Sequence, residues 1–337
     1  MEKRILKIAV IQSVFFLFFC LSIGILQKAN KNGTLEANTT AKYTLNESID
    51  RMLTNCSSYI KVEKSKSILG NIKVQNHVLK KKIKLIYTSF EPISFTNIII
   101  NSEGTIKDKQ VSYTHSEKQY EAEIEFSLNE GYEAEVYQDA GSIYIGFYEP
   151  KDLYKKVIIL DAGHGGIDSG TFAVDKEHME KRINLSVTKK IKEKLDQFED
   201  VKVYMTRESD IHLSPEDRIE MINSVKADYC ISIHCNSADN LEASGVEVLY
   251  SEKSKDGTIK SKNLANILLK GIIGTTKQVN RGLLKGDNIY IMRKSNIPIA
   301  LVEIGFISNK NEFSYLIKDE NQDTIAEAIV EAIQVIE

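Results

Sequence analysis

From about residue 156 onward, short apolar runs alternate with stretches whose apolar residues recur every three or four positions, and only strands alternating with helices satisfy both periods. The strand-like runs fall at 157–160, 201–205, 229–234, 246–250 and 299–303. Helical spacing appears at Ile183, Val187, Ile191 and Leu195, and again near 216–225, 261–273 and 323–336. This alternation predicts an α/β sheet covered by helices on both faces. In open sheets of that kind the functional crevice lies outside the carboxyl ends of the strands.

The preceding residues follow other rules. Lys3, Arg4 and Lys7 stand before an almost unbroken apolar stretch from Ile8 to Leu26, interrupted mainly by Gln12, Ser13 and Ser22. Its length approaches the ~20 residues that span a bilayer, and no clear small-x-small cleavage site follows. Residues 1–29 are therefore expected to form an uncleaved signal-anchor, with a cytoplasmic N-terminus and the body of the chain exported, the alternative being a cleaved signal sequence that leaves the body secreted to the cell wall. Cys20 lies in that stretch, but Phe19 occupies the place where a lipoprotein signal needs a small residue, so Cys20 reads as an apolar-segment thiol. Residues 30–67 are rich in Asn, Thr, Lys and Ser, with a helical pattern at Ile49, Leu53 and Ile60, and read as a polar stalk containing one short helix. Between 68 and 150 the period falls to two, as at Ala122, Ile124, Phe126 and Leu128, with turn signals such as Asn129-Glu130-Gly131 between runs. That segment is expected to be a small antiparallel β domain. Its His77 and His115 lack paired ligands and read as solvated surface residues.

Charge and cysteine content remove several function classes. Forty-four Lys and Arg residues against 47 Asp and Glu leave a formal net charge of −3, so nothing recommends nucleic acid as a partner. The four cysteines, Cys20, Cys56, Cys230 and Cys235, form no CxxC pair and are too sparse for a disulfide scaffold.

Chemistry concentrates at predicted strand ends. His164 follows the apolar run directly, inside Asp161-Ala162-Gly163-His164-Gly165-Gly166, where small neighbours let a ligand or metal approach. His234 ends another apolar run, Ile231-Ser232-Ile233-His234, and from the same sheet edge reaches the same region. Glu180, at the head of the helix pattern, supplies a third donor, with Glu177 and His178 as nearby rivals. Two imidazoles and one carboxylate with a fourth position open are the donor set of catalytic zinc, which lowers the pKa of bound water to ~7. The reaction class implied is hydrolysis. Glu303 sits within the apolar run Leu301-Val302-Glu303-Ile304, where a carboxylate is costly unless paired or functional, and is the candidate acid/base. Alternation directs Cys235 away from a metal bound by His234, and Cys230, four residues from His234, is over ~10 Å from it. His212 reads as a loop histidine.

The series VIILDAGHGGIDSG, EKRINL, TRESD, LSPEDR, ADYCISIHCNS, SGVEVLY, RGLL and IPIALVEIGFISN resembles, in order and spacing, the zinc-dependent N-acetylmuramoyl-L-alanine amidases of bacterial cell-wall turnover. The similarity covers residues 156–337. It implies a mixed α/β catalytic domain, zinc held by His164, Glu180 and His234, and Glu303 as catalytic acid/base. It also implies the reaction: hydrolysis of the amide between the lactyl group of N-acetylmuramic acid and L-alanine of the stem peptide. The partners expected are therefore peptidoglycan and, through residues 1–29, the outer face of the cytoplasmic membrane; no protein partner is identifiable. Asn236 and Arg281 are expected to line the substrate groove, whereas Arg218 and Asn223 read as structural. No segment between His234 and Glu303 has room for an inhibitory helix. Residues 68–150 would serve localisation or wall targeting. Two rival functions are a zinc peptidase acting on wall peptides and a non-enzymatic wall-binding protein that keeps the fold. Retention of His164, Glu180, His234 and Glu303 together speaks against the second.

Overall fold

A computed structural model describes residues 39–66, 70–101, 104–116, 119–253 and 259–336. The chain divides into two compact units, Met1–Arg51 and Met52–Glu337, with helix α1 (Thr39–Asn55) running across the division. The signal-anchor expected at 1–29 lies outside the described residues. Among those described, no helix is long and apolar enough to cross a membrane.

The larger unit opens with eight strands: β1 (Ser58–Lys64), β2 (Asn71–His77), β3 (Lys82–Ser89), β4 (Phe95–Asn101), β5 (Ile106–Ser116), β6 (Gln119–Leu128), β7 (Glu133–Gln138) and β8 (Ser142–Tyr148). They pair antiparallel in two sheets, ordered β4-β1-β8-β7 and β2-β3-β6-β5. Period-two patterning gives each sheet one apolar face. Ile83, Leu85, Ile124 and Phe126 of one sheet pack with Ile60, Val62, Ile143, Ile145 and Phe147 of the other, closing a β-sandwich. Each such buried side chain contributes roughly 1.5–3 kcal/mol.

One boundary departs from the sequence expectation. The second half of the polar stretch at 30–67 is not a stalk: β1 lies inside its sheet, between β4 and β8, and buries Ile60 and Val62 completely. The strand alternates these two with Tyr59, Lys61 and Glu63, so its composition looks polar although one face is core.

Helix α2 (Pro150–Leu153), with Pro150 in its first turn, leads into the second half. There follow β9 (Lys156–Ala162), α3 (Glu180–Leu195), β10 (Val201–Met205), α4 (Pro215–Ile222), β11 (Tyr229–Asn236), β12 (Val246–Tyr250), α5 (Ser261–Thr276), β13 (Asn280–Lys285), α6 (Tyr290–Lys294), β14 (Ile299–Phe306), α7 (Lys310–Leu316) and α8 (Asp319–Gln334). The strands form one six-stranded sheet, ordered β10-β9-β11-β14-β12-β13. Strands β10, β9, β11 and β14 run parallel, whereas β12 runs antiparallel to β14, so the sheet is mixed.

Alternation splits each central strand between two cores. Ile158 and Leu160 of β9, with Ile231, Ile233, Val302 and Ile304, pack under α3, α5 and α8. Val157, Ile159, Cys230, Ile299 and Leu301 face the other way, against Met221 and Ile222 of α4 and Ile291 and Met292 of α6. Asp161, Ser232, His234 and Glu303 continue this second face by twos, toward the carboxyl ends of β9, β11 and β14.

A chain shortened to begin at Ile68 lacks β1 and is expected to lose the cooperative unfolding transition of the sandwich. One beginning at Thr39 should retain it. Calorimetry of both forms checks the boundary.

Candidate metal centre

The turn that presents His164 is held from behind by two arginines. Arg207 Nε donates to the Ala162 carbonyl at 2.8 Å, and one of its terminal nitrogens donates to the Gly163 and Lys181 carbonyls, each at 2.8 Å. Arg218 donates to the Asp161 carboxylate at 2.5 Å, the Ala162 carbonyl at 2.8 Å and the His164 carbonyl at 2.6 Å. Asp161 is wholly buried and also accepts from the Thr206 and Ser232 hydroxyls, both at 2.7 Å. Burial opposes its ionisation, but the Arg218 guanidinium and these hydroxyls outweigh it and hold the carboxyl below its ordinary range. This scaffold keeps His164 at φ 61°, a left-handed conformation that costs a non-glycine residue roughly 1–2 kcal/mol.

Two glycines make room for the donors. A Cβ on Gly163 would lie 2.3 Å from His234 Cε1. At Gly170, φ +64°, it would lie 2.6 Å from Glu180 Oε2 and 2.7 Å from His164 Cδ2.

Around these glycines the structure brings His164, Glu180 and His234 together, with one ligand atom from each within 4.8 Å of the others. Glu180 Oε1 lies 3.2 Å from His164 Nε2 and 3.0 Å from His234 Nδ1. Tetrahedral donors at zinc distances of ~2.0–2.1 Å stand about 3.4 Å apart, so the spacing and the donor chemistry fit that ion. The supporting contacts are those of a metal site as well. His164 Nδ1 donates to Asp168 Oδ2 at 2.9 Å, which turns Nε2 toward the cluster. Asn184 Nδ2 and the Cys235 amide both donate to Glu180 Oε1 at 3.1 Å, and the Thr171 amide donates to Oε2 at 3.0 Å.

Electrostatics show how strongly this carboxylate favours positive neighbours. Burial works against charge on both Glu180 and His164. Their mutual hydrogen bond, with His234 on one side and Asp168 on the other, prevails: Glu180 is held far below the usual carboxylate range and His164 is raised to about 9.

Glu303 lies one strand over, opposite His234 in the β11/β14 register and opposite Glu247 in β12/β14. Its Oε2 is buried without a hydrogen-bond partner. Burial raises its pKa to about 7; the charges of Glu180 and Glu247 push the same way, against the opposing pull of His234. Such a carboxyl is poised to exchange a proton near neutrality.

Asn236 and Arg281 both reach Glu247, Asn236 Nδ2 donating to Oε1 at 2.6 Å and Arg281 Nε to Oε2 at 2.9 Å. The Arg281 guanidinium lies over the Phe306 ring, 4.6 Å from its centre. The rival ligands stay apart: His178 Nδ1 donates to Asp175 Oδ2 at 2.6 Å and its ring leans on Phe313. Cys235 packs in the opposite core, and Asn223 joins α4 to the loop at 294–296. Sequence reasoning missed Asp168, Asn184, Arg207 and Glu247 as supports. All four lie within the quoted motifs, but nothing local to them signals which backbone or side chain they will meet.

Two substitutions probe this chemistry. Arg218→Met strands the Asp161 charge in the interior and should cost about 3–5 kcal/mol in urea unfolding, part of it recovered in the Asp161→Asn/Arg218→Met double variant. Glu303, with a folded pKa above its unfolded value of ~4.3, contributes stability fully present below that value and lost as pH rises through about 7. With chelator present, Glu303→Gln should match the parent protein near pH 4 and exceed it by about 4 kcal/mol above pH 8. A flat difference across that range contradicts the assignment.

The sequence model of the N-acetylmuramoyl-L-alanine amidase family matches residues 158–335. The germination-specific N-acetylmuramoyl-L-alanine amidase of Bacillus subtilis is 34% identical over 195 residues, covering 54% of this chain and 79% of that protein. Among solved structures, the catalytic domain of the amidase CwlV from Bacillus (Paenibacillus) polymyxa is similar with a TM-score of 0.50 and 31% identity, over 53% of this chain and 96% of that one. The CwlD amidase from Clostridioides difficile, solved in complex with the GerS lipoprotein, is 34% identical with a TM-score of 0.50, over 53% of this chain and 96% of its own. A match that takes in every strand of the mixed sheet and spans more than half of the 337 residues makes this chain a member of the N-acetylmuramoyl-L-alanine amidase family.

Proposed function

We propose that this peptidoglycan amidase cleaves the bond between the lactyl group of N-acetylmuramic acid and L-alanine with zinc held by His164, Glu180 and His234, and with Glu303 as acid and base. The observation that carries the reading is the buried, unpartnered Glu303 Oε2 on the strand beside His234. When bound, zinc supplies Lewis acidity, lowering the pKa of water to ~7 and polarising a carbonyl oxygen. Asp168 holds His164 Nδ1–H, which would leave Nε2 as the nitrogen to bind the metal. Glu303 accepts a proton from the attacking water as the new C–O bond forms. It returns that proton to the amide nitrogen as the C–N bond breaks, which frees the L-alanine amine and leaves a lactyl carboxylate. Asn236 and Arg281, both braced by Glu247, line the groove beside Glu303 and contact the substrate.

The wider assignment follows the domain order. Residues 1–29 anchor the protein to the cytoplasmic membrane, the body is exported to the wall side, residues 156–337 form the catalytic domain, and the β-sandwich aids wall localisation. Digestion of muropeptides by the full chain, with products identified by mass, tests the chemistry. Stem peptides should be released at the L-alanine amine, stop with chelator and resume with zinc. Glu303→Gln should bind zinc yet lose about 10²–10⁴-fold in kcat. Cuts only within the stem peptide would instead identify a zinc peptidase, and zinc binding undiminished in His164→Ala would overturn the ligand set.

A further inference from the structure

The sandwich does more than lie next to the catalytic half: it supplies part of that half's core. Between β2 and β3 the chain makes a single 3-10 turn, Val78–Lys80, closed by Lys81 in the left-handed region at φ 53°. Val78 and Leu79 are each only 8% exposed, and they are buried not in the sandwich core but among Met221, Ile222 and Val225 at the end of α4, with Val157 and Ile159 of β9.

The backbones meet closely around this insertion. Gly131 N donates to the Ser224 carbonyl at 2.8 Å, and a Cβ on Gly131 would lie 2.5 Å from Val225 Cγ1 and 2.8 Å from the Val78 carbonyl oxygen. Polar contacts surround the apolar ones. Glu133 accepts from Lys202 Nζ at 2.7 Å and from the Tyr204 hydroxyl at 2.5 Å, and Lys226 pairs with Glu149 at 2.7 Å.

Helix α4 has only eight residues and is capped by Ser214 and Asp217. A helix that short has little stability of its own and depends on tertiary packing. Arg218, one turn before Met221 and Ile222 and on the same face of the helix, holds Asp161 and the Ala162 and His164 carbonyls. We propose that the β-sandwich, through Val78 and Leu79, is a positioning element of the metal site, keeping α4 and Arg218 where they hold the His164 turn in its ligand conformation. The proposal rests on His164 being a zinc ligand only for its metal readout; the coupling between turn and helix exists without the ion.

The test uses the full chain with Val78→Ala/Leu79→Ala, and Leu79→Ala alone should the double variant fail to fold. Ile145→Ala, in the sandwich core away from α4, controls for general destabilisation. Zinc affinity is read by competition with a chromogenic chelator, and hydrogen exchange of the amides at 161–166 is read in zinc-free protein. The expected result is a zinc Kd weakened about tenfold, as for loss of a supporting contact to a ligand, with faster exchange at 161–166 and neither change in the control. Unchanged exchange in the turn variants, or equal changes in the control, would overturn the proposal. Absence of zinc binding in the parent protein would refute the ligand assignment instead, and the exchange comparison would still decide whether the sandwich holds the turn.

Discussion

Everything chemical in this protein depends on the grip of two guanidinium groups on one backbone turn. The residues after β9 must leave the sheet sharply enough to aim His164 back across its edge, which leaves consecutive carbonyls pointing into the protein and His164 in a left-handed conformation. Buried carbonyls need donors. Arg207 and Arg218 supply them in the planar, multiply donating geometry that lysine lacks. Arginine charge in the interior needs a counter-charge in turn, which Asp161 provides on the preceding residue pair of the same strand. The turn, the two arginines and the aspartate therefore form one unit whose members are each expensive alone.

The donor cluster follows a related rule with the signs exchanged. Glu180 is buried at the head of α3, and both imidazoles, an asparagine amide and two backbone amides point at its carboxylate. So many donors around one carboxylate keep it ionised, and it is that ionised carboxylate, set between two imidazoles, that favours a cation. Glu303 is the counterpart: one strand away, half-buried, with its Oε2 buried and unpaired and a pKa lifted toward neutrality. Two carboxylates of the same chemistry thus shift their pKa in opposite directions because one is surrounded by donors and the other is not.

Much of this was legible in the residues. His164 and His234 stand out because histidine at the end of an apolar run has few structural uses, and Glu303 because ionisable groups seldom interrupt such a run. Supports were harder to read. Asp168, Asn184 and Glu247 are ordinary polar residues in ordinary loop, helix and strand positions, and each acquires its role only by meeting a partner from another element. Strand β1 was hidden for a different reason: a strand with one buried face needs only Ile60 and Val62 to be apolar, and a composition average over 30–67 submerges them.

The sequence by itself determined the periods, and hence the succession of β-sandwich strands and α/β elements, as well as the kinds of donor available at each strand end. Periodicity and side-chain chemistry are local, written in a few neighbouring residues. Only the tertiary structure decided that β12 runs against β14 and brings Glu247 beside Glu303, and that a turn of the sandwich completes the packing of α4. Those outcomes depend on strand register and on which faces come together across long stretches of chain, and a shift of one residue in either would send the same side chains to the opposite face.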